Sequence, residues 1–275
     1  MSDAVSAPPL DGRVVAQRFL SASALAWFVP ACVGPWIFTG YIVLKYIAPA
    51  IRGDVSGWND VMVNGLIRGD LAGNIALGVH LFIAFAITAG GTLQLIPAVR
   101  RGAPSFHRWN GRAYVVIALI TSLAALYMTW TRHQLGGVVS AVGISLDAVL
   151  IIFFSGMTFV SARSRRFGVH HDWALRTFVA VSAVWYMRVS YGFLILAFQG
   201  QPPGSTEHLN GPLDYAIGFW SYLLPLAVLE LYLRAKQGSV ASVKMGVALI
   251  MSVGALITAV GVAGATMIMW LPRIT

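Results

Sequence analysis

The sequence contains a single cysteine, Cys32, and little charge, since only 11% of its residues are Asp, Glu, Lys or Arg. One cysteine excludes an intramolecular disulfide and a cysteine-based metal cluster. The sequence also lacks an Asn-x-Ser/Thr glycosylation site, a phosphate-binding glycine loop and the HExxH pattern of zinc peptidases. With 57% hydrophobic residues, the composition also differs from that of a soluble globular domain.

Long apolar runs make up most of the chain instead. Seven stretches are apolar over roughly 20 residues or more, which is enough to cross a hydrocarbon core about 30 Å thick. We therefore predict an all-α integral membrane protein with seven transmembrane helices. The first run is too long for the core of a cleavable signal and is expected to remain as a helix. The stretches cover residues 22–46, 72–98, 112–131, 137–162, 173–198, 214–235 and 246–270.

The net charge of +9 comes from basic residues that are unevenly distributed between the predicted helices. If the N-terminus is cytoplasmic, thirteen Lys and Arg residues fall in inner segments, five fall in outer segments, and Arg188 lies within a helix. This asymmetry follows the positive-inside rule. It predicts a bacterial inner-membrane protein with its N-terminus cytoplasmic and its C-terminus outside. The expected partner is the lipid bilayer, and no nucleic acid is expected.

A six-residue pattern occurs twice. Residues 107–112 read HRWNGR and, sixty-four positions later, residues 171–176 read HDWALR. Each copy follows an Arg-Arg pair and precedes an apolar run with an aromatic residue at the equivalent position, Tyr114 or Phe178. We interpret the pattern as a duplicated helical hairpin that forms a four-helix core, with the copies facing a shared interior. The alternative is a boundary signature, in which Arg, Trp and His only mark the level of the lipid headgroups.

This duplication divides the chain into three parts. Residues 1–71 contain an N-terminal segment, the first transmembrane helix and an outer interfacial segment. Residues 72–198 form the duplicated four-helix membrane core, and residues 199–275 contain an outer loop and the last two transmembrane helices. In the first part, the near-helical spacing of Trp58, Val61, Met62 and Leu66 predicts a short amphipathic helix at the outer interface.

Ionisable residues inside the predicted helices are functional candidates, because a charge in hydrocarbon is costly unless it is paired or hydrated. His80, Asp147 and Arg188 lie on three core helices at a common depth, roughly 12 to 15 Å from the outer helix ends. We predict an ion pair between Asp147 and Arg188 beside His80. The three would line a polar substrate or proton site that is walled by Trp185 and Tyr191. The alternative is a buried pair that only fixes helix register.

Glu230 lies near the inner end of the sixth predicted helix. It is a candidate proton carrier, or a partner for Arg112 or Arg176. Alternatively, it forms an interfacial ion pair with Arg234, four residues further along the same helix.

His107 and His171 occupy equivalent positions in the two copies. Two imidazoles from facing helices are the axial ligands that a b-type haem requires, and Arg112 and Arg176 could pair with its propionates. Haem b is therefore a candidate cofactor. Their position at the headgroup boundary argues against it, and His170 leaves the choice of ligand open. No other metal site is predicted, because two or three histidines make an incomplete ligand set.

Three segments carry a family resemblance: residues 78–115, residues 170–189 and residues 219–234. Across residues 72–234 the sequence resembles a large bacterial family of predicted multi-pass membrane proteins, catalogued as domain of unknown function 2306. Asp172 stands where the family more often has Arg. The resemblance implies a multi-pass membrane fold and implies no activity. Its specific marks are His80, Gln94, His107, Arg108, Trp109, Gly111, Arg112, His171, Trp173, Arg176, Arg188, Trp220 and Glu230.

No particular reaction follows from these patterns. The leading hypothesis is a small membrane redox or quinone-side module that binds haem b. In this hypothesis His107 and His171 are the ligands, and His80, Asp147 and Arg188 form a substrate or proton site. One alternative is a carrier or sensor of a small lipophilic molecule. Another is an accessory subunit of a larger membrane complex.

Overall fold

The computed structural model describes residues 12–60, 66–131 and 136–274, and the regular elements within these ranges are all helical. This confirms the predicted all-α class. Two π-helical turns, Val43–Ile47 and Ala265–Trp270, extend the first and last long helices. The α-helices in the described ranges are α1 Gly12–Ile42, α2 Ala48–Ile51, α3 Leu71–Leu95, α4 Pro97–Gly102, α5 Pro104–Thr131, α6 Gly137–Arg163, α7 Phe167–Val181, α8 Ala183–Phe198, α9 Pro212–Gln237 and α10 Ala241–Gly264.

Six helices in the described ranges are long and apolar enough to cross a membrane, and α7 with α8 makes a seventh if the bent pair is one span. Each span overlaps one predicted apolar stretch. The first differs most, because its helix begins at Gly12, ten residues before the predicted apolar stretch. Hydropathy marks the part of a helix that suits hydrocarbon, and a helix can extend beyond it. The six are Gly12–Ile51, Leu71–Leu95, Pro104–Thr131, Gly137–Arg163, Pro212–Gln237 and Ala241–Arg273.

The fifth predicted helix is broken, which the sequence analysis did not predict. α7 and α8 meet at Ser182 with a bend of 55°. Ser182 has φ −81° and ψ 3°, so one residue leaves the α-helical conformation, although its amide still donates to the Phe178 carbonyl at 3.0 Å. The bend turns α8 into a different direction from α7.

The helices form a ring. α1 packs against α3 and α10, α3 packs against α5, α5 against α6, and α6 against α7. α10 packs against α8, and α9 contacts α6, α7, α8 and α10. α6 therefore lies between α5 and α7, which are the two helices that carry the repeated pattern.

α8 and α10 cross with their backbones in direct contact. Gly192 of α8 faces Gly261 and Gly264 of α10. A methyl group at Gly261 would clash with the Val189 carbonyl, and one at Gly264 would clash with the Gly192 carbonyl. Small residues allow such close approach between membrane helices. This crossing holds α8 in place on the side of the ring next to α10.

The segment after α2 differs from the predicted interfacial helix. Residues Ser56–Trp58 form a short 3-10 turn, and the Trp58 side chain is buried. Its indole N–H donates to the Tyr46 carbonyl at 3.3 Å. Trp58 therefore packs into the aromatic cluster at the end of α1. Val61 and Met62, two other residues of the predicted helix, lie outside the described residues.

Candidate functional site

The two copies of the repeated pattern have the same local geometry at one end of the molecule. We call this end, residues 94–112 and 163–176, the motif rim. The Arg112 guanidinium lies 4.8 Å from the centre of the Trp109 ring, and that of Arg176 lies 4.6 Å from the centre of the Trp173 ring. Residues three apart share a helix face, and a cation is attracted to the face of an indole ring. Each Trp-x-x-Arg is therefore a local stacking unit.

Arg176 also forms an ion pair with Glu230 of α9. Its Nε and Nη2 atoms donate to the two carboxylate oxygens at 2.5 and 3.1 Å. The side chains of Arg176 and Glu230 are 17% and 35% exposed. Of the three predicted partners of Glu230, which are Arg112, Arg176 and Arg234, Arg176 is the observed one. The pair joins α7 to α9 at the motif rim.

His107 and His171, the predicted haem ligands, have different surroundings. His107 Nδ1 is buried and has no hydrogen-bond partner among the described residues. His171 has a 45% exposed side chain, and its Nδ1 lies 3.5 Å from Asp172 Oδ1. The neighbouring His170 directs its Nδ1 to the Thr158 carbonyl at 3.0 Å. The two predicted ligands are thus not in equivalent environments. In the described ranges, no group of three or more His, Cys, Asp or Glu residues could hold a metal ion.

A cavity of about 380 Å³ lies in the middle of the ring. Its walls come from α1, α3, α5, α6, α7, α8 and α9, and most of them are apolar. On the side away from the motif rim, the first lining residues of α5, α6 and α9 are Ala125, Gly143 and Gly218. At 1.5 Å per residue, each lies about 9 Å from the nearest end of its helix. The cavity therefore lies at the depth of the hydrocarbon core.

His80, Asp147 and Arg188 all line this cavity, as their common depth predicted. The predicted ion pair between Asp147 and Arg188 is wrong, however. Arg188 Nη1 donates to the Val184 carbonyl at 3.1 Å, and the guanidinium lies 5.1 Å from the centre of the Phe38 ring. The bend between α7 and α8 explains the difference, because α7 packs against α6 whereas α8 packs against α10.

Three polar atoms in the cavity wall have no partner. Asp147 Oδ1, Ser122 Oγ and Trp185 Nε1 are buried without a hydrogen bond to any described residue. Leaving a buried donor or acceptor unpaired costs about 1 to 3 kcal/mol, and native proteins satisfy most such groups. Three such atoms in residues that line one cavity make this cavity the candidate site.

Tyr191, predicted as a wall of the pocket, lies outside the cavity. Its hydroxyl donates to Asp214 Oδ1 at 2.6 Å. The phenol therefore reaches the first turn of α9 and helps to hold it against α8. Trp185, the other predicted wall residue, does line the cavity. The Asp214 carboxylate also accepts hydrogen bonds from Ser205 Oγ, Thr206 N and Gly211 N.

The cavity walls show the same spacing as the repeated pattern. Residues sixty-four positions apart line the cavity in pairs, on α3 with α6 and on α5 with α7 or α8. The two hairpins thus contribute paired wall residues. The chemistry of the pairs differs, because the second hairpin has the carboxyl group of Asp147 where the first has Ile83. The pairs are His80 with Ile144, Ile83 with Asp147, Ala84 with Ala148, Ile87 with Ile151, Tyr114 with Phe178 and Thr121 with Trp185.

Helices outside the predicted four-helix core also form walls, which the sequence analysis missed. α1 contributes Pro35 and Phe38, and α9 contributes Gly218, Ser221 and Tyr222. The Tyr222 hydroxyl donates to the Gly143 carbonyl of α6 at 3.1 Å. The spacing of the three α9 residues, three and four apart, places small and polar groups on one helix face. This spacing could have been found in the sequence, whereas no sequence pattern distinguishes Pro35 and Phe38 of α1 as lining residues.

Comparison with known proteins supports the family resemblance. Residues 77–208 match the model of a family described as predicted membrane protein (DUF2306). The matched range contains both copies of the repeated pattern together with His80, Asp147 and Arg188. No curated protein and no solved structure matches the chain.

Proposed function

We propose that this chain, whose residues 77–208 belong to the DUF2306 family of predicted membrane proteins, binds a small lipophilic molecule in its central cavity as a carrier or sensor. The cavity walls support this, because they combine apolar surface with three buried polar atoms that have no partner among the described residues. Ligand sites are typically apolar concavities of about 300 to 1,000 Å³ with a few converging polar groups.

The polar groups of the cavity indicate the class of ligand. Arg188 and Trp185 are hydrogen-bond donors, and Asp147 accepts a hydrogen bond when ionised and donates one when protonated. A quinone offers carbonyl oxygens to the donors, and its quinol form offers hydroxyls to the carboxyl group. The aromatic side chains of Tyr114 and Phe178 suit a flat ring. A quinone is therefore the ligand class that the lining fits best.

Binding is tested with detergent-purified protein and a decyl-chain benzoquinone as the probe. Ala125→Leu fills part of the cavity, and Ala124→Leu, at the adjacent exposed position outside the lining, is its matched control. We expect Ala125→Leu to weaken binding about tenfold or more, since overpacking a site typically costs 1 to 3 kcal/mol, whereas Ala124→Leu binds like wild type. Equal binding by both variants would contradict the proposal. A stoichiometric protein partner after gentle extraction would favour an accessory subunit instead.

A haem-bearing redox module is a second candidate, supported by the buried and unpartnered His107 Nδ1. In this proposal His107 and His171 are the axial ligands of haem b, and Arg112 pairs with a propionate. Arg176 is less suited to that role, because Glu230 already engages its Nε and Nη2. Absorption spectra of oxidised and dithionite-reduced protein, expressed with ample haem, test the proposal. Haem bands that disappear in His107→Ala support it, and absence of bands in the wild type rejects it.

We also propose a bacterial inner-membrane location with the motif rim cytoplasmic and the C-terminus outside. The basic residues support this orientation, since Arg100, Arg101, Arg165 and Arg166 all lie at the motif rim. Lys244 Nζ donates to Gln17 Oε1 at 2.6 Å, so the starts of α1 and α10 lie at the same end of the molecule. A C-terminal alkaline phosphatase fusion is expected to be active in the periplasm. An inactive fusion on a stably inserted chain would reverse the orientation.

A further inference from the structure

We infer that the ligand enters the central cavity sideways from the lipid bilayer, past His80 on α3. The site would therefore take a molecule that is dissolved in the membrane, and not one delivered from water. This inference rests on the proposed function, which supplies the ligand, and it adds the route and the side chain at the entrance.

Three side chains of the cavity wall are also exposed at the molecular surface. They are His80 on α3, Ile144 on α6 and Val184 on α8, and the last two are 40% and 55% exposed. Side chains that are both exposed and part of the lining are the ones expected where a cavity opens. Each lies about 10 Å or more from the ends of its membrane span, at 1.5 Å per residue. An opening at that depth faces acyl chains.

α3 is the loosely packed side of this opening. Among the described side chains from Leu71 to Thr88, Leu81 alone is buried, whereas the four residues from Ala89 to Thr92 are all buried. The main packing partners of α3 are α1 and α5. α6 and α8 contribute to the wall of the same cavity. The part of α3 that lines the cavity therefore has fewer fully buried side chains than the part beside the motif rim. Its contacts there are those of Leu77, Leu81, Ala84 and Phe85 with the aromatic cluster at the end of α1.

The well-packed end of α3 is attached to α5. Asn110 Nδ2 donates to the Gly90 carbonyl at 2.9 Å, and Gln94 Nε2 donates to the His107 carbonyl at 3.1 Å. Close packing adds to these bonds, because a Cβ at Gly91 would clash with the ring of Tyr114 on α5. A helix segment with fewer fully buried side chains opens locally at lower cost than a well-packed one. Such a helix suits a lateral entrance.

His80 provides the hydrogen-bonding groups at the entrance. Among the three exposed lining residues it is the polar one, beside Ile144 and Val184. A neutral imidazole has one hydrogen-bond donor and one acceptor. It can therefore contact the polar head of a membrane-dissolved molecule as that head passes from the headgroup level toward Arg188 and Asp147. The apolar side chains beside it suit the tail.

Exchange kinetics in lipid nanodiscs test this route. Bound decyl-chain benzoquinone is chased with its deuterated form in the same bilayer, and mass spectrometry follows the isotope ratio of the bound fraction. His80→Trp narrows the entrance. Val79→Trp is the matched control, because Val79 is the adjacent residue, is 52% exposed and lies outside the lining.

We expect His80→Trp to slow exchange about tenfold or more, because a narrowed entrance slows association and dissociation alike. Kd is measured on the same samples, so that a slower exchange is separated from a tighter complex. Val79→Trp is expected to exchange like wild type. Equal rates in both variants, with binding intact, refute lateral entry at His80 and leave the cavity ligand in place. If His80→Trp does not bind, His80→Ala decides: faster exchange supports the route and unchanged exchange refutes it. No binding by the wild type refutes the proposed function and this inference together.

Discussion

The motif rim and the central cavity both contain arginine and carboxylate side chains, which form an ion pair at the motif rim and stay apart in the cavity. At the motif rim, Arg176 is paired with the Glu230 carboxylate and stacked on the Trp173 ring. In the cavity, Arg188 donates to a carbonyl of its own helix, and Asp147 Oδ1 has no partner among the described residues. An arginine and a carboxylate are thus joined in one region and separated in the other.

The difference indicates what each region does. Paired polar groups stabilise a membrane protein, whereas unpaired buried groups lower its stability unless something binds to them. The motif rim therefore joins helices, and a bound ligand, as proposed, would satisfy the unpaired groups of the cavity. His107 is the exception at the motif rim, since its buried Nδ1 has no partner among the described residues. The haem proposal therefore depends on His107.

The largest effect on stability is expected from breaking the ion pair between Arg176 and Glu230. Glu230→Gln should lower the free energy of unfolding by about 2 kcal/mol, less than the 3 to 5 kcal/mol of fully buried pairs, because the carboxylate is 35% exposed. Denaturant titration in mixed micelles measures this. Glu207→Gln, in an exposed position before α9, is the control. Quinone binding should persist in both variants, and an equal loss of stability in the control would contradict the structural role.

Removing the Arg188 guanidinium from the cavity should weaken ligand binding more than it lowers the free energy of unfolding. Arg188→Gln is expected to weaken quinone binding about tenfold, equivalent to about 1.4 kcal/mol, with a smaller change in unfolding free energy than Glu230→Gln. The matched control is Arg112→Gln at the motif rim, which should bind like wild type. Isothermal titration in detergent measures both variants. Weaker binding in the Arg112 variant alone would place the ligand at the motif rim.

A double-mutant cycle sharpens the comparison further. Without ligand, Asp147→Asn and Arg188→Gln should change stability additively, within about 0.5 kcal/mol, because the two side chains do not touch. In quinone binding, the same cycle should give a coupling of about 1 kcal/mol, since one ligand contacts both groups. Strong coupling in the ligand-free protein would instead mean that the two residues form the ion pair originally predicted.

The smallest effects concern the two stacking units of the motif rim. Trp109→Leu should cost about 0.5 kcal/mol, as an exposed cation–π contact does, because the Trp109 side chain is 69% exposed. Trp173→Leu should cost more, since the Trp173 ring also contacts Phe153 and Phe154. Thermal unfolding of the two variants measures the difference. Equal losses would show that the two copies contribute equally despite their different surroundings.

The sequence predicted the spans and the shared depth of His80, Asp147 and Arg188 well, because both depend on distance along a helix. Hydrophobic length locates a span, and a fixed rise per residue locates a residue within it. The same reasoning failed for the ion pair and for Tyr191. Whether two side chains meet depends on helix direction, and the bend at Ser182 has neither proline nor glycine to mark it.

By itself, the sequence determined that this chain is helical and membrane-embedded, and it determined where its repeated Trp-x-x-Arg units occur, since these follow from spacing along one dimension. The tertiary structure decided which helices share the cavity, that Glu230 takes Arg176, and that Asp147 and Arg188 stay apart. The physical reason is that neighbouring helices in a membrane are selected by packing, as at Gly192 and Gly261, and that selection depends on surfaces far apart in the sequence.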